Sequence, residues 1–139
     1  MRTKITAAIG VVALALPVAN AAAAAKKKVV TITRTVKGPQ AVADQWGYVE
    51  VALVVKKTTT TVGTHKTVKR TITKVTAPIY PNHTDRSVFI NEQAIPLLTQ
   101  EVLTTTKFNP NIELVGGATA TSYAFAQSLQ AALIQAKRI

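Results

Sequence analysis

The chain is written in two hydrophobic periods. From Val29 to Val36 the period is two: Val30, Ile32, Arg34 and Val36 alternate with Val29, Thr31, Thr33 and Thr35. That pattern predicts a half-buried strand, because successive side chains point to opposite faces of a sheet. Lys37-Gly38-Pro39 stops it. A second run, Tyr48 to Val55, sets Val49, Val51, Leu53 and Val55 on one face against Glu50, Ala52 and Val54 on the other. Trp46-Gly47 leads into it, and the glycine predicts a bulge or a close backbone approach. A third run, Thr67 to Val75, is rich in Thr and Lys, with Val68 and Ile72 as its apolar members. The segment Thr58 to His65 reads as the link before it, with Gly63 as its turn residue. Three sequential runs joined in this way predict an antiparallel meander with one wet face.

The period then changes. Pro78, Pro81 and Asn82 read as a loop, and from Ser87 the apolar residues Ile90/Ala94, Leu97/Leu98 and Val102 recur at helical spacing. Pro96 conflicts with a helix interior, since it lacks an N–H and crowds the preceding turn. The helix therefore either begins near Asn91 or kinks at Pro96. Asn109-Pro110-Asn111 is a second break, and Ile112 to Val115 is the length of one small strand. The last element is the plainest. Phe125, Ala126, Leu129, Ala132, Leu133 and Ala136 form one apolar stripe, Thr121 or Ser122 suits the N-cap, and Lys137-Arg138 complement the negative helix end. The predicted fold is α+β: a small antiparallel sheet of three to four strands covered by two helices.

The first 25 residues stand apart. Met1-Arg2-Thr3-Lys4 is basic, Ile5 to Pro17 is apolar apart from Thr6, and Ala19-Asn20-Ala21 has the small-x-small form of a signal peptidase site. This predicts an exported protein, cut between Ala21 and Ala25, with 26–139 as one domain. An uncleaved anchor is the alternative, but spanning a bilayer takes about 20 apolar residues, and Pro17 and Asn20 interrupt the run. There is no cysteine, so neither a disulfide nor a thiolate metal site is available. Without Arg2 and Lys4 the formal charge is about +9. The basic residues are spread from Lys26-Lys27-Lys28 through Lys56-Lys57 to Lys69-Arg70, and aromatic residues do not interleave with them. A nucleic-acid stacking platform is therefore not expected, whereas affinity for anionic lipid or a cell-wall polymer suits an exported chain.

Catalytic sets are hard to assemble. His65 and His83 fall in different segments, without a carboxylate or second histidine at ligand spacing. The acids are scattered singly, and serines occur only at Ser87, Ser122 and Ser128, so no nucleophile, base and orienting group come together. The remaining candidate is Gly116-Gly117-Ala118-Thr119, immediately before the final helix. The first turn of a helix carries unpaired N–H groups and a positive dipole end, which together favour an anion. Glycines let a phosphate approach the backbone, and a threonine hydroxyl would lie beside it. The plain alternative is a flexible turn.

The same stretch, "VGGATATSYAFAQSLQAAL", resembles the S-G-A-T segment of the FMN-binding domain family, particularly its small exported single-domain members. That family includes the flavin-carrying subunits of the sodium-pumping NADH:quinone oxidoreductase and of the Rnf complex. "DRSVFINEQAIPLLTQEVL" is similar to the family's I-N-x-x-A-x-P-x-L helix through Ile90, Asn91, Ala94, Pro96 and Leu98. "QWGYVEVALVV" resembles its Y-G-x-V-x-V strand. The resemblance runs from about Val30 to Ala136, and only the Gly-Ala-Thr segment is specific.

The resemblance implies a flavin loop before the C-terminal helix. Thr119 falls on the residue that accepts FMN through a phosphoester, installed by a FAD-dependent flavin transferase, with Gly117 and Ala118 on the preceding small pair. Gly116, Thr121 and Ser122 complete the implied FMN-binding set. Two positions depart from the family pattern: Glu113 stands where an aspartate is usual, and Gly116 where a serine is usual. The implied role is an electron-transfer carrier between a membrane donor and an extracytoplasmic acceptor. The alternatives are an FMN-dependent reductase of a small acceptor, or a flavin-free basic module that binds wall or membrane. A positive surface would favour the anionic reduced flavin and raise its potential. Trp46, Tyr48 and Tyr123 are candidates to flank the ring or to pack in the core.

Overall fold

The computed structural model describes residues 26–139. The expected leader, residues 1–25, lies outside them. The fold is α+β: one four-stranded antiparallel sheet and two helices. The strands are β1 (Lys27–Lys37), β2 (Ala41–Val42), β3 (Tyr48–Val62) and β4 (His65–Ile79). β3 pairs with each of the other three. β1 and β2 meet it in succession: Gly38 N donates to Val51 O at 2.9 Å, and Ala41 pairs with Val49. The helices are α1 (Asp85–Glu101), which runs on into a single π turn (Val102–Thr106), and α2 (Thr119–Ala136).

Contacts divide the described chain into two compact units. One comprises residues 26–31 and 58–69. Its residues are exposed or at most half-buried; they include Lys26, Lys27, Lys28, Lys66 and Lys69, and no acid. The other unit, residues 32–57 and 70–139, contains the core. Val49, Val51, Leu53 and Val55 are fully buried, as the alternation in β3 requires. They pack in one cluster with Ile72, Val75 and Ala77 of β4, with Leu98 and Val102, and with Phe125, Leu129, Ala132, Leu133 and Ala136 of α2. The expected apolar stripe of α2 is thus its buried face, except that Ala126 is only half-buried.

Several boundaries differ from those read in the sequence. The Thr58–His65 segment is not a link: β3 and β4 continue through it as fifteen-residue strands joined by a two-residue turn at Gly63-Thr64. β-Branched threonines sustain extended backbone without any core behind them, and Gly63, at φ 62°, supplies the positive angle of a tight hairpin. Pro78 lies inside β4, which pairs with β3, and not in a loop. Ile112 to Val115 forms no strand.

The helix containing Pro96 begins well before Asn91. Thr84 caps α1, its Oγ1 accepting from Ser87 N at 3.0 Å. Pro96 stands in the interior of that helix. The carbonyl it leaves without a donor is that of Glu92, and both residues are exposed, so water can satisfy it. α1 buries Ser87, Asn91, Ala94 and Leu98, in steps of four, three and four, while Phe89 and Leu97 face outward. The Trp46-Gly47 entry to β3 is a 3-10 turn, Asp44–Trp46, followed by Gly47 at φ 136°. Ala43 N donates to Gly47 O at 2.7 Å across this turn.

Candidate functional site

The loop before α2 is anchored at both ends. Upstream, the Glu101 carboxylate accepts from Glu113 N, at 2.9 Å to Oε2 and 3.2 Å to Oε1. Glu113 is thereby held through its backbone at the end of α1. Downstream, Ala118 N donates to Val115 O at 3.0 Å, closing a four-residue turn with Gly116 and Gly117 at its centre. Gly117 has φ 84°, the positive angle that the third residue of a type II turn requires. Gly116, in the second position, carries no such demand. A β-carbon built on either glycine meets nothing within 4 Å, so the outer side of this turn is open space.

Ser122 locks the turn from inside. Its Oγ accepts from Val115 N at 3.0 Å and donates to Ala118 O at 2.8 Å, and its side chain is fully buried. The expectation that Thr121 or Ser122 caps α2 is corrected: the helix begins at Thr119, and both residues sit inside its first turn, buried. The N-cap is Ala118, with no side-chain cap hydrogen bond. The first intrahelical bond comes from Ser122 N to Ala118 O at 2.9 Å. The amides of Thr119, Ala120 and Thr121 precede it and have no carbonyl inside the helix to bond. An alanine is a poor N-cap because it offers no oxygen to these donors.

The structure thus separates the six expected site residues into two groups. Gly116, Gly117 and Thr119 are exposed at the helix end, while Ala118 between them is buried. Thr121 and Ser122 are buried, and the Ser122 hydroxyl is fully engaged with the loop backbone, so its part is to position the turn. Sequence reasoning missed two contributors: Glu101 as the upstream anchor and Ser122 as the inner lock. A serine in the first turn of a helix reads as a cap, and only the helix start distinguishes the two roles.

Trp46, Tyr48 and Tyr123 are not core residues; they are 40%, 51% and 57% exposed. Tyr123 lies four residues beyond Thr119 on α2, so the two exposed side chains are neighbours on one helix face. Among the described residues there is no cluster of three or more His, Cys, Asp or Glu side chains placed to hold a metal ion. Nor is any described helix long and apolar enough to cross a membrane.

No protein-family model, curated protein or solved structure matches the chain.

Proposed function

We propose that the chain is an exported electron-transfer flavoprotein domain that carries one FMN esterified to Thr119. The observation that carries this reading is the uncapped start of α2. An exposed hydroxyl stands there beside three unpartnered helix amides, under a Gly-Gly turn with free space on its outer side. A phosphate diester needs these things together: an oxygen to bond through, donors for its remaining oxygens, and room to approach. The resemblance of the Gly117-Ala118-Thr119 segment to the flavin-accepting motif supplies the identity of the phosphate.

In the attachment step, Thr119 Oγ1 attacks the flavin-side phosphorus of FAD in the active site of a flavin transferase. The new P–O ester forms as the bond from that phosphorus to the bridging pyrophosphate oxygen breaks. AMP leaves with that oxygen, and the threonine proton is released. The amides of Thr119, Ala120 and Thr121 would hold the oxygens of the phosphate, and Tyr123 is the aromatic side chain nearest to Thr119 along the helix. When bound, the isoalloxazine ring supplies the one- and two-electron redox chemistry, and the protein contributes attachment, orientation and electrostatics. The partners are a flavin transferase for maturation, a membrane electron donor and an extracytoplasmic acceptor. Co-expression with a flavin transferase, followed by denaturing electrophoresis, tests the reading. A fluorescent flavin band that is lost in Thr119→Ala supports it, and a dark band in the native chain contradicts it.

One observation favours a second reading. The unit of residues 26–31 and 58–69 carries five lysines, no acid, and exposed Val29, Val30, Val62 and Val68. Cations beside exposed apolar side chains suit adhesion to an anionic lipid surface or cell-wall polymer. Salt-sensitive binding by a colourless protein would select this reading over the flavin.

A further inference from the structure

We infer a second anion site, at the opposite end of α2 from Thr119, shaped for a small phosphomonoester with an apolar body. It is a cleft of about 580 Å³, within the usual range for small-molecule sites, lined by Ile32, Arg34, Val36, Lys57, Arg138 and Ile139 among others. No acidic side chain lines it; the one anionic group beside it is the carboxylate of Ile139, which Arg70 holds.

Strand alternation places these cations together. On β3 the inward positions run Val49, Val51, Leu53, Val55, and the next is Lys57. On β1 the same face reads Val36, Arg34, Ile32, of which Val36 packs against the core. On β4, Arg70 is the inward position before buried Ile72. Three adjacent strands therefore each put a cation where their run of core side chains ends, and the turn after α2 adds Arg138. Like charges on one face of neighbouring strands repel each other and cost stability. Among the described residues, Arg34, Lys57 and Arg138 take part in no ion pair. Arg70 is already engaged: one guanidinium N–H donates at 2.7 Å to Ile139 O, a carboxylate oxygen of the last residue, while its Nε is buried without an acceptor. A doubly charged phosphate among these groups removes the repulsion and receives charge-assisted hydrogen bonds from guanidinium and ammonium donors. Ile32, Val36 and Ile139 supply an apolar wall for the rest of the ligand.

The cleft is independent of the flavin loop. Eighteen helical residues separate the two ends of α2, about 27 Å. The test uses the native chain and isothermal titration with phenyl phosphate, inorganic phosphate and phenol. Two variants are compared: Arg34→Gln/Lys57→Gln/Arg138→Gln in the cleft, and Lys26→Gln/Lys27→Gln/Lys28→Gln as a control of equal charge change. Phenyl phosphate should bind the native chain and the control alike, and the cleft variant at least tenfold more weakly, about one decade or more in Kd. It should also bind about tenfold more tightly than inorganic phosphate. Equal weakening in both variants, or no saturable binding to the native chain, overturns the site. Equal affinity for phenyl phosphate and inorganic phosphate overturns the apolar half of the assignment. If the triple variant does not fold, Arg34→Gln and Arg138→Gln are measured singly, and unchanged affinity in both overturns it. Unaltered binding in Thr119→Ala is expected whether or not flavin attaches there.

Discussion

Val51 N donates to Ser128 Oγ at 2.8 Å, so a helix side chain completes the hydrogen bonding of the central strand. β1 ends at Lys37 and β2 does not begin until Ala41. Ser128 fills the gap this leaves on β3, while Gly38 N bonds Val51 O beside it. The close approach has a further requirement: a β-carbon on Gly38 would collide with the Ser128 backbone and hydroxyl. Ser128→Ala strands a buried amide and should cost about 1–3 kcal/mol. Gly38→Ala forces helix and sheet apart and should cost about 1–3 kcal/mol. Because the clash includes the Ser128 carbonyl, the double variant should recover none of the Gly38→Ala loss. Chemical denaturation of the three variants checks this.

The two glycines of the loop before α2 should respond oppositely. Gly117 holds φ 84°, so Gly117→Ala should lose about 1 kcal/mol or more through backbone strain. Gly116 has no such angle and no neighbour within 4 Å of a built β-carbon, so Gly116→Ser should shift stability by less than about 0.5 kcal/mol. It also places there the serine that is usual at the corresponding position of the family whose motif this segment resembles. The extent of flavin attachment should rise in Gly116→Ser and fall in Gly117→Ala, measured as the flavinylated fraction after co-expression.

Glu101 is the upstream anchor of the same loop through its bond to Glu113 N. Glu101→Ala should cost about 0.5–1.5 kcal/mol and speed amide exchange at Glu113 about tenfold or more, with little change in the β3 core amides. Hydrogen exchange resolved by residue reads both effects. Equal acceleration at Val51 would mean that the carboxylate supports the whole fold and not this loop.

The lysine-rich unit gives a salt test of the second reading. Binding to anionic vesicles should weaken steeply between about 0.05 and 0.2 M salt, as screening of exposed charges requires. Lys26→Gln/Lys27→Gln/Lys28→Gln should lower both the affinity and the salt slope. Retention of either at the native value would exclude these lysines from the contact.

The strands and helices were legible where one face is buried. Val49 through Val55 and Phe125 through Ala136 follow their periods because the core selects them, and the α+β architecture follows from that. The hairpin beyond Thr58 was not legible as strand, because none of the residues 58–69 is fully buried and so no core imposes alternation on its Thr and Lys residues. The helix start near Asn91 that Pro96 offered does not hold, because the cost of a proline in a helix interior is smaller where the freed carbonyl faces water. At the candidate site, Thr119 and the glycines could be picked out by residue type. The role of Ser122 could not, because whether a first-turn serine caps a helix or locks the preceding loop depends on where the helix begins. Glu101 acts through a long-range contact to a backbone amide, and no local pattern announces such a bond.

Intact-mass spectrometry of the chain after co-expression with a flavin transferase and acid precipitation tests the central claim most directly. A species heavier than the bare chain by one FMN less one water is expected, absent in Thr119→Ala and unaffected by Ser128→Ala at equal folded fraction. An unmodified mass for the native chain, or an adduct that persists in Thr119→Ala, would contradict it.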